Sequence, residues 1–289
     1  MSIKPYITSL RLRTLPLSVA GVVLGAALSE LPLHWDVFLL TVVTTLCLQI
    51  ITNLSNELGD AQKGTDQTQG NRQQYSLQSG AITIQQMQIY IVVFVVLSMI
   101  FGTLLIYTTF GTLCCRQSGV FLALGALAIA AAIKYTLGHH AYGYHGLGDL
   151  GVFLFFGLLG VLGSFYMQCQ TLTWRALFAA VAIALPIVAV LNLNNIRDME
   201  GDICHGKHTL ASKLGMRGAK IYQTLLVLVP FLVFPFVRCY ATFIFLPFFV
   251  WHVVYLWHHT GAELDRHMKL LSLSILGMAI AQLIIKLIA

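Results

Sequence analysis

Long apolar runs separated by short polar stretches limit this chain more than any other feature. Nine can be marked: Leu12–Ser29, Val37–Asn56, Gln88–Phe110, Val120–Thr136, Leu150–Gln168, Ala176–Asn195, Ile221–Val237, Tyr240–His258 and Lys269–Leu287. Each is close to the roughly 20 residues that a helix needs to cross about 30 Å of hydrocarbon. Barrel-type alternation is absent, so strands are excluded as the spanning element. Composition agrees. Charged residues make up 10% of the chain and apolar ones 57%, whereas soluble domains carry about 25% charge. There is too little charge to clothe a water-soluble surface. The expected fold is therefore all-α: a polytopic membrane protein of about nine transmembrane helices, with residues 1–289 as a single transmembrane domain. The first run lacks a small-residue cleavage site before a soluble domain and reads as a span. The six cysteines are scattered without a Cys-x-x-Cys pair, which leaves zinc and thiol redox chemistry without support. Nothing in the pattern points to nucleic acid; the lipid bilayer is the main surrounding.

The basic residues orient the spans. With the N-terminus in the cytoplasm, only Arg116, Arg175, Arg238 and Lys286 of the 17 Lys and Arg residues fall outside. That bias satisfies the positive-inside rule. The expectation is a multi-pass protein of the inner (cytoplasmic) membrane, N-terminus in and C-terminus out. The acids follow the bases, although the rule does not require it. Of the 11 acidic residues, only Glu30 and Asp36 lie outside. Glu57, Asp60, Asp66, Asp198, Glu200 and Asp202 crowd into two stretches, expected as cytoplasmic loops near 57–87 and 196–220, after the second and sixth runs.

Both stretches contain Asn-x-x-x-Asp: Asn56 with Asp60, and Asn194 with Asp198. That spacing puts both side chains on one helical face. Asp202 extends the second face by a turn, while Asp66 lies past Gly59 and Gly64, in a loop that folds back. Clustered carboxylates repel one another unless a cation sits among them. Hard oxygen ligands favour Mg²⁺ or Ca²⁺ over zinc, and Mg²⁺ binds through a few carboxylates together with substrate phosphates. Lys63, Arg72, Arg197 and Lys207 are interleaved with the acids. Carboxylates for a metal beside bases for phosphate point to an Mg²⁺–diphosphate complex.

The paired Asn/Asp-rich motifs, four spans apart, resemble those of the UbiA superfamily of intramembrane prenyltransferases. Several stretches are similar to its 1,4-dihydroxy-2-naphthoate polyprenyltransferase branch. They are Asp60-Ala-Gln-Lys-Gly-Thr-Asp66, Arg11-Leu-Arg13-Thr-Leu-Pro16, Tyr144-His-Gly146-Leu-Gly148-Asp149 and Asn194-Asn195-Ile-Arg197-Asp198 through Thr209. Glu57 stands where the branch usually has Asp, and residues 70–78 depart from its pattern. The resemblance implies nine helices around a central cavity with the acidic motifs at its cytoplasmic mouth. Two Mg²⁺ ions would hold the diphosphate of a polyprenyl donor, and an aromatic acid acceptor would be prenylated with loss of its carboxylate.

On that reading Asn56, Asp60, Asp66, Asp198 and Asp202 serve the metal. Lys207 and Arg197 are the first diphosphate bases and, with Asp60 and Asp198, the catalytic set. Lys63 and Arg72 come next, and Arg13 reaches in from the first span. Tyr135 and Tyr142 near the mouth, and Phe165 and Tyr166 deeper, are candidates to shield an allylic cation with their ring faces. Asn194 is a candidate to position the acceptor; Asn192 could do the same or bond between helices. Asp149 is read as a helix N-terminal acid. Two other readings stay open: a UbiA-type enzyme with a different aromatic acceptor, and a cation-coupled transporter, which would place its acids nearer mid-membrane. In a cysteine-free background, single cysteines within 57–87 and 196–220 should label in sealed right-side-out vesicles only after permeabilisation, and cysteines at 116 and 175 without it. Opposite labelling of the two acidic stretches would break the shared-site argument.

Overall fold

The computed structural model describes residues 4–30, 32–64, 76–139 and 141–288. Among these, nine helices are long and apolar enough to span a membrane. They are α1 (Lys4–Leu28), α2 (Trp35–Lys63), α3 (Ile84–Phe110), α4 (Arg116–Lys134), α5 (Gly148–Cys169), α6 (Trp174–Cys204), α7 (Leu210–Val233), α8 (Tyr240–His258) and α9 (Gly261–Ile288). The architecture expected from the apolar runs is therefore the one observed.

The helix ends differ from those expected, and the difference matters. α2 does not stop at Asn56 but runs on to Lys63, and α6 continues past Asn195 to Cys204. Residues 57–63, 196–204 and 210–220, expected in loops, are helical. Hydropathy marks where side chains stop being apolar; backbone hydrogen bonding continues into the polar tail. A helix of 29 residues such as α2 is about 43 Å long, more than the hydrocarbon thickness, so its last turns project beyond it. α9 likewise starts before Lys269, at Gly261, and so includes Asp265. α1 is broken at Arg11, whose φ of 50° interrupts the helix before Leu12–Thr14.

α1 packs against α2, α5, α6 and α9. Small residues make this possible, because lipid supplies no hydrophobic drive between helices and close backbone approach must hold them. A Cβ on Gly25 would stand 2.3 Å from the carbonyl oxygen of Val161 on α5. Beside it, the Ser164 hydroxyl donates to the Val22 carbonyl at 2.8 Å. Leu24, Ile183, Leu193 and Leu271 are fully buried in the shared core. α5 contains a π-helical turn, Phe153–Leu159, a device frequent at functional sites. α6 carries Pro186 in its interior, which removes one helical hydrogen bond.

Gly25→Val forces a backbone shift between α1 and α5 and should cost about 1–3 kcal/mol, seen as a lower thermal unfolding midpoint in detergent. Gly119→Ala, where an added Cβ meets nothing within 4 Å, should leave the midpoint unchanged or raise it. Equal midpoints for the two variants would contradict this packing.

Candidate active site

The projecting ends of α2 and α6 bring the two acidic motifs to the same end of the bundle. The strap between α4 and α5 joins them. Its Tyr144 donates its phenolic O–H to Oδ1 of Asp60 at 2.7 Å. The Lys63 ammonium sits 3.6 Å from the centroid of the same ring and that of Lys207 5.8 Å away. The Tyr144 carbonyl accepts from the His208 N–H at 3.0 Å. One tyrosine thus touches both motifs. Thr136, at the start of the strap, donates its hydroxyl to the Ser55 carbonyl at 2.8 Å and to Asn56 Oδ1 at 3.2 Å. Its carbonyl accepts from Lys63 at 3.0 Å. Gly59 allows this approach, since a Cβ there would lie 2.7 Å from Thr136 Cβ.

On the second motif, Lys207 lies 3.2 Å from Oδ2 of Asp202. Burial alone would lower the Lys207 pKa. Asp202, Asp60 and Asp198 together outweigh it and hold the ammonium above the ordinary lysine range. Lys207 is therefore a fixed cation among three carboxylates from both motifs.

Arg197 departs from the role expected for it. Its Nε and Nη2 each meet one oxygen of Asp198 at 2.8 Å, Nη2 also reaches Asn194 Oδ1 at 2.6 Å, and Nη1 contacts Asp265. With only 4% of its side chain exposed, Arg197 is a clamp on its own motif and does not present a face to a diphosphate. Arg13 is exposed, while its neighbour Arg11 lines the cavity described below. The arginine that lines the cavity thus stands two residues before the one expected. Asp66 and Arg72 lie outside the described residues. Glu57 is turned away from the site, and its Oε1 accepts the Leu77 N–H at 2.9 Å. Asn192 bonds between helices, donating to the Ala219 carbonyl and to Gln223 Oε1. Asp149 does sit in the first turn of α5, but it is buried and bonded to Tyr222.

Behind the motifs a cavity of about 440 Å³ runs into the bundle. Asn56, Asn194 and Tyr135 line one end, and Thr41, Phe121 and Met167 the other. From Thr41 to Asn56 along α2 is about 22 Å. The hydroxyls of Thr41, Thr44 and Thr52 on this wall are spent on carbonyls one turn back, at 2.7–3.0 Å, so the wall stays largely apolar. The π-helical turn contributes Phe155 and Phe156. Tyr135 meets Tyr142 edge to face, ring centroids 5.3 Å apart. Burial pushes the Tyr142 phenol up to about 12 and raises that of Tyr135 as well, so both rings remain neutral. Phe165 is packed in the core and Tyr166 against Phe110 and Phe121, and neither lines the cavity.

The donor set suits a hard divalent cation. Asp60, Asp198, Asp202 and Asn56 offer oxygen donors, and Asp202 accepts from Lys207 through Oδ1 at 3.3 Å while its buried Oδ2, 3.2 Å from the same ammonium, makes no hydrogen bond. Among the described residues no three His, Cys, Asp or Glu side chains close around an ion by themselves.

The family model described as the UbiA prenyltransferase family matches residues 17–276. The chain belongs to this family. It is 42% identical over 225 residues to the 1,4-dihydroxy-2-naphthoate octaprenyltransferase of Escherichia coli, covering 77% of this chain and 72% of that one. Among solved structures, a UbiA homolog from Aeropyrum pernix in its apo form superposes with a TM-score of 0.73 at 18% identity, covering 94% of this chain and 98% of the other. A UbiA homolog from Archaeoglobus fulgidus, bound to DMAPP and Mg²⁺, gives 0.66 at 13% identity, covering 97% and 99%. This chain is thus a prenyltransferase by family, and its described residues form helices and the connections between them.

Sequence reading passed over Tyr144, Thr136, Arg11 and Asp265. Tyr144 was visible inside a Gly-rich stretch, but nothing in its spacing separates it from ten other tyrosines. Tyr144→Phe keeps the ring over Lys63 and removes the bond to Asp60. Prenyl transfer should fall about 10–100-fold, since hydrogen bonds to charged groups are worth about 1.5–3 kcal/mol, while the yield of folded protein is unchanged. Wild-type kcat and KM in that variant would remove Tyr144 from the site.

Proposed function

We propose that this protein transfers a polyprenyl group from a polyprenyl diphosphate to 1,4-dihydroxy-2-naphthoate, with loss of the acceptor's carboxylate, giving demethylmenaquinone (as its quinol) in menaquinone biosynthesis. Its relationship to a 1,4-dihydroxy-2-naphthoate octaprenyltransferase supports the acceptor. The observation that carries the reading is the convergence of Asp60 with Asp202 and Lys207 around Tyr144, at the mouth of a cavity with apolar walls.

In the reaction the donor's C–O bond breaks, a C–C bond to the aromatic ring forms, and diphosphate and CO₂ depart. Asn56, Asp60, Asp198 and Asp202 would hold Mg²⁺, in our reading two ions, with Asp66 completing the first motif. Bound Mg²⁺ neutralises charge developing on the leaving diphosphate. Lys207 adds a fixed positive charge at the same place, and a charge already in position needs no reorganisation as the bond breaks. Lys63 would be the second base and Arg72 a further one. The apolar cavity takes the isoprenoid tail and keeps water from the allylic cation. Tyr135, neutral and at the cavity's polar end, presents its ring where that cation forms. Asn194, steadied by Arg197, is placed to orient the acceptor. Both acidic motifs would face the cytoplasm across the inner membrane, where the soluble acceptor is met.

Purified protein incubated with labelled polyprenyl diphosphate and a panel of aromatic acids tests this directly. Labelled quinone-type lipid should appear with 1,4-dihydroxy-2-naphthoate and vanish on chelation of Mg²⁺. Asp60→Ala and Asp198→Ala should each lose at least about 10²-fold, as for removal of a preorganised charge stabiliser. Product from 4-hydroxybenzoate in place of the naphthoate would reassign the acceptor. Near-wild-type turnover in both variants would overturn the site.

A further inference from the structure

Arg197 and Asp198 form a forked ion pair near the end of α6, with both Nε–Oδ1 and Nη2–Oδ2 at 2.8 Å. Their side chains are 4% and 8% exposed. Taken alone, such a pair is a poor seat for a divalent cation. The guanidinium cancels the carboxylate's charge and occupies one lone pair on each oxygen. Asp265, in the first α-helical turn of α9 (which begins at Leu264 after a 3₁₀ turn), changes that balance. Its Oδ1 meets the third guanidinium nitrogen, Nη1, so Arg197 is shared between two carboxylates and the trio keeps a net negative charge. Asn194 accepts from Nη2 as well. The guanidinium is therefore held on three sides, which fixes the plane of the Asp198 carboxylate and the direction of its remaining lone pairs.

We propose that Asp265, on the last span, is a positioning residue for the metal site: through Arg197 it orients Asp198 and supplies the negative charge that keeps this paired carboxylate able to bind a divalent cation. The inference rests on the reading of Asp198 as a metal ligand. The competing role for Asp265 is that of an acid complementing the dipole at the start of α9. That role stabilises a helix end and leaves metal affinity where it was.

Binding of Mn²⁺ alone to the purified full chain in detergent, followed by the electron paramagnetic resonance signal of free Mn²⁺, separates the two. Asp265→Asn should weaken Mn²⁺ binding about tenfold or more, as expected for removing a unit charge near a divalent ion in a site of intermediate dielectric. Its metal-free unfolding midpoint should fall only slightly, because Arg197 keeps Asp198 and Asn194 and Asp265 is the more exposed partner. Asp265→Ser keeps a small polar residue in the first turn, should behave the same way, and serves if the Asn variant does not fold. In an Arg197→Gln background the Asp265→Asn change should cost less, because its route to Asp198 is gone. Unchanged Mn²⁺ affinity in Asp265→Asn, with binding lost in Asp198→Asn, would overturn the proposal and leave the metal reading standing. Equal cost with and without Arg197 would also overturn it. If wild-type protein binds no Mn²⁺, or binds it equally well after Asp198→Asn, both the proposal and the metal reading fail.

Discussion

The site depends on holding like charges together at the end of a greasy bundle. Asp60, Asp198 and Asp202 come from helices that have no reason to present acids to one another except what is placed between them. The compensation is local and specific. The Lys207 ammonium answers Asp202 at 3.2 Å, the Tyr144 phenol binds Asp60 at 2.7 Å, and the Arg197 fork holds Asp198 at 2.8 Å. Removing one partner from a buried charge costs several kcal/mol, more than the pair itself contributes. The arrangement therefore behaves as a unit, in which each carboxylate is held by a neighbouring side chain. The seat we propose for a divalent cation and a diphosphate lies among these carboxylates.

The bundle serves this end. Gly25 and Ser164 lock α1 to α5, and α1 in turn packs on α2 and α6. The two helices that carry the motifs are thereby fixed relative to each other well inside the membrane. The strap from Thr136 to Tyr144 then ties them at their ends. The π-helical turn in α5 faces the cavity with two phenylalanines. Along α2 scaffold and chemistry meet in one helix, with the cavity wall from Thr41 to Asn56 followed by Asp60.

Much of this was legible in the sequence. The spans follow from hydropathy, because hydrocarbon leaves helices as the natural choice for runs of this length. The motif pair follows from Asn-x-x-x-Asp repeated on one side of the membrane. Other features were hidden for definite reasons. Hydropathy cannot see that α2 continues to Lys63, because a helix in water needs no apolar side chains. A lysine or arginine beside an aspartate reads as a phosphate ligand or as an internal clamp with equal ease; only in three dimensions does Arg197 emerge held by Asp198, Asp265 and Asn194. Arg11 rather than Arg13 lines the cavity, and the backbone turns left-handed at Arg11, which no side-chain pattern announces. Asp265 lies far along the chain from the motif it touches, before the apolar run that marked the last span.

The central claim is that two acidic motifs four spans apart form one metal–diphosphate site. Anomalous scattering from Mn²⁺ in crystals of the full chain grown with an unreactive thiolo-analogue of the polyprenyl diphosphate tests it most directly. The account predicts Mn²⁺ density between the Asp60 and Asp202 carboxylates, with the diphosphate beside Lys207 and the tail running toward Phe155. Metal density confined to one motif, or a diphosphate seated away from both, would contradict it.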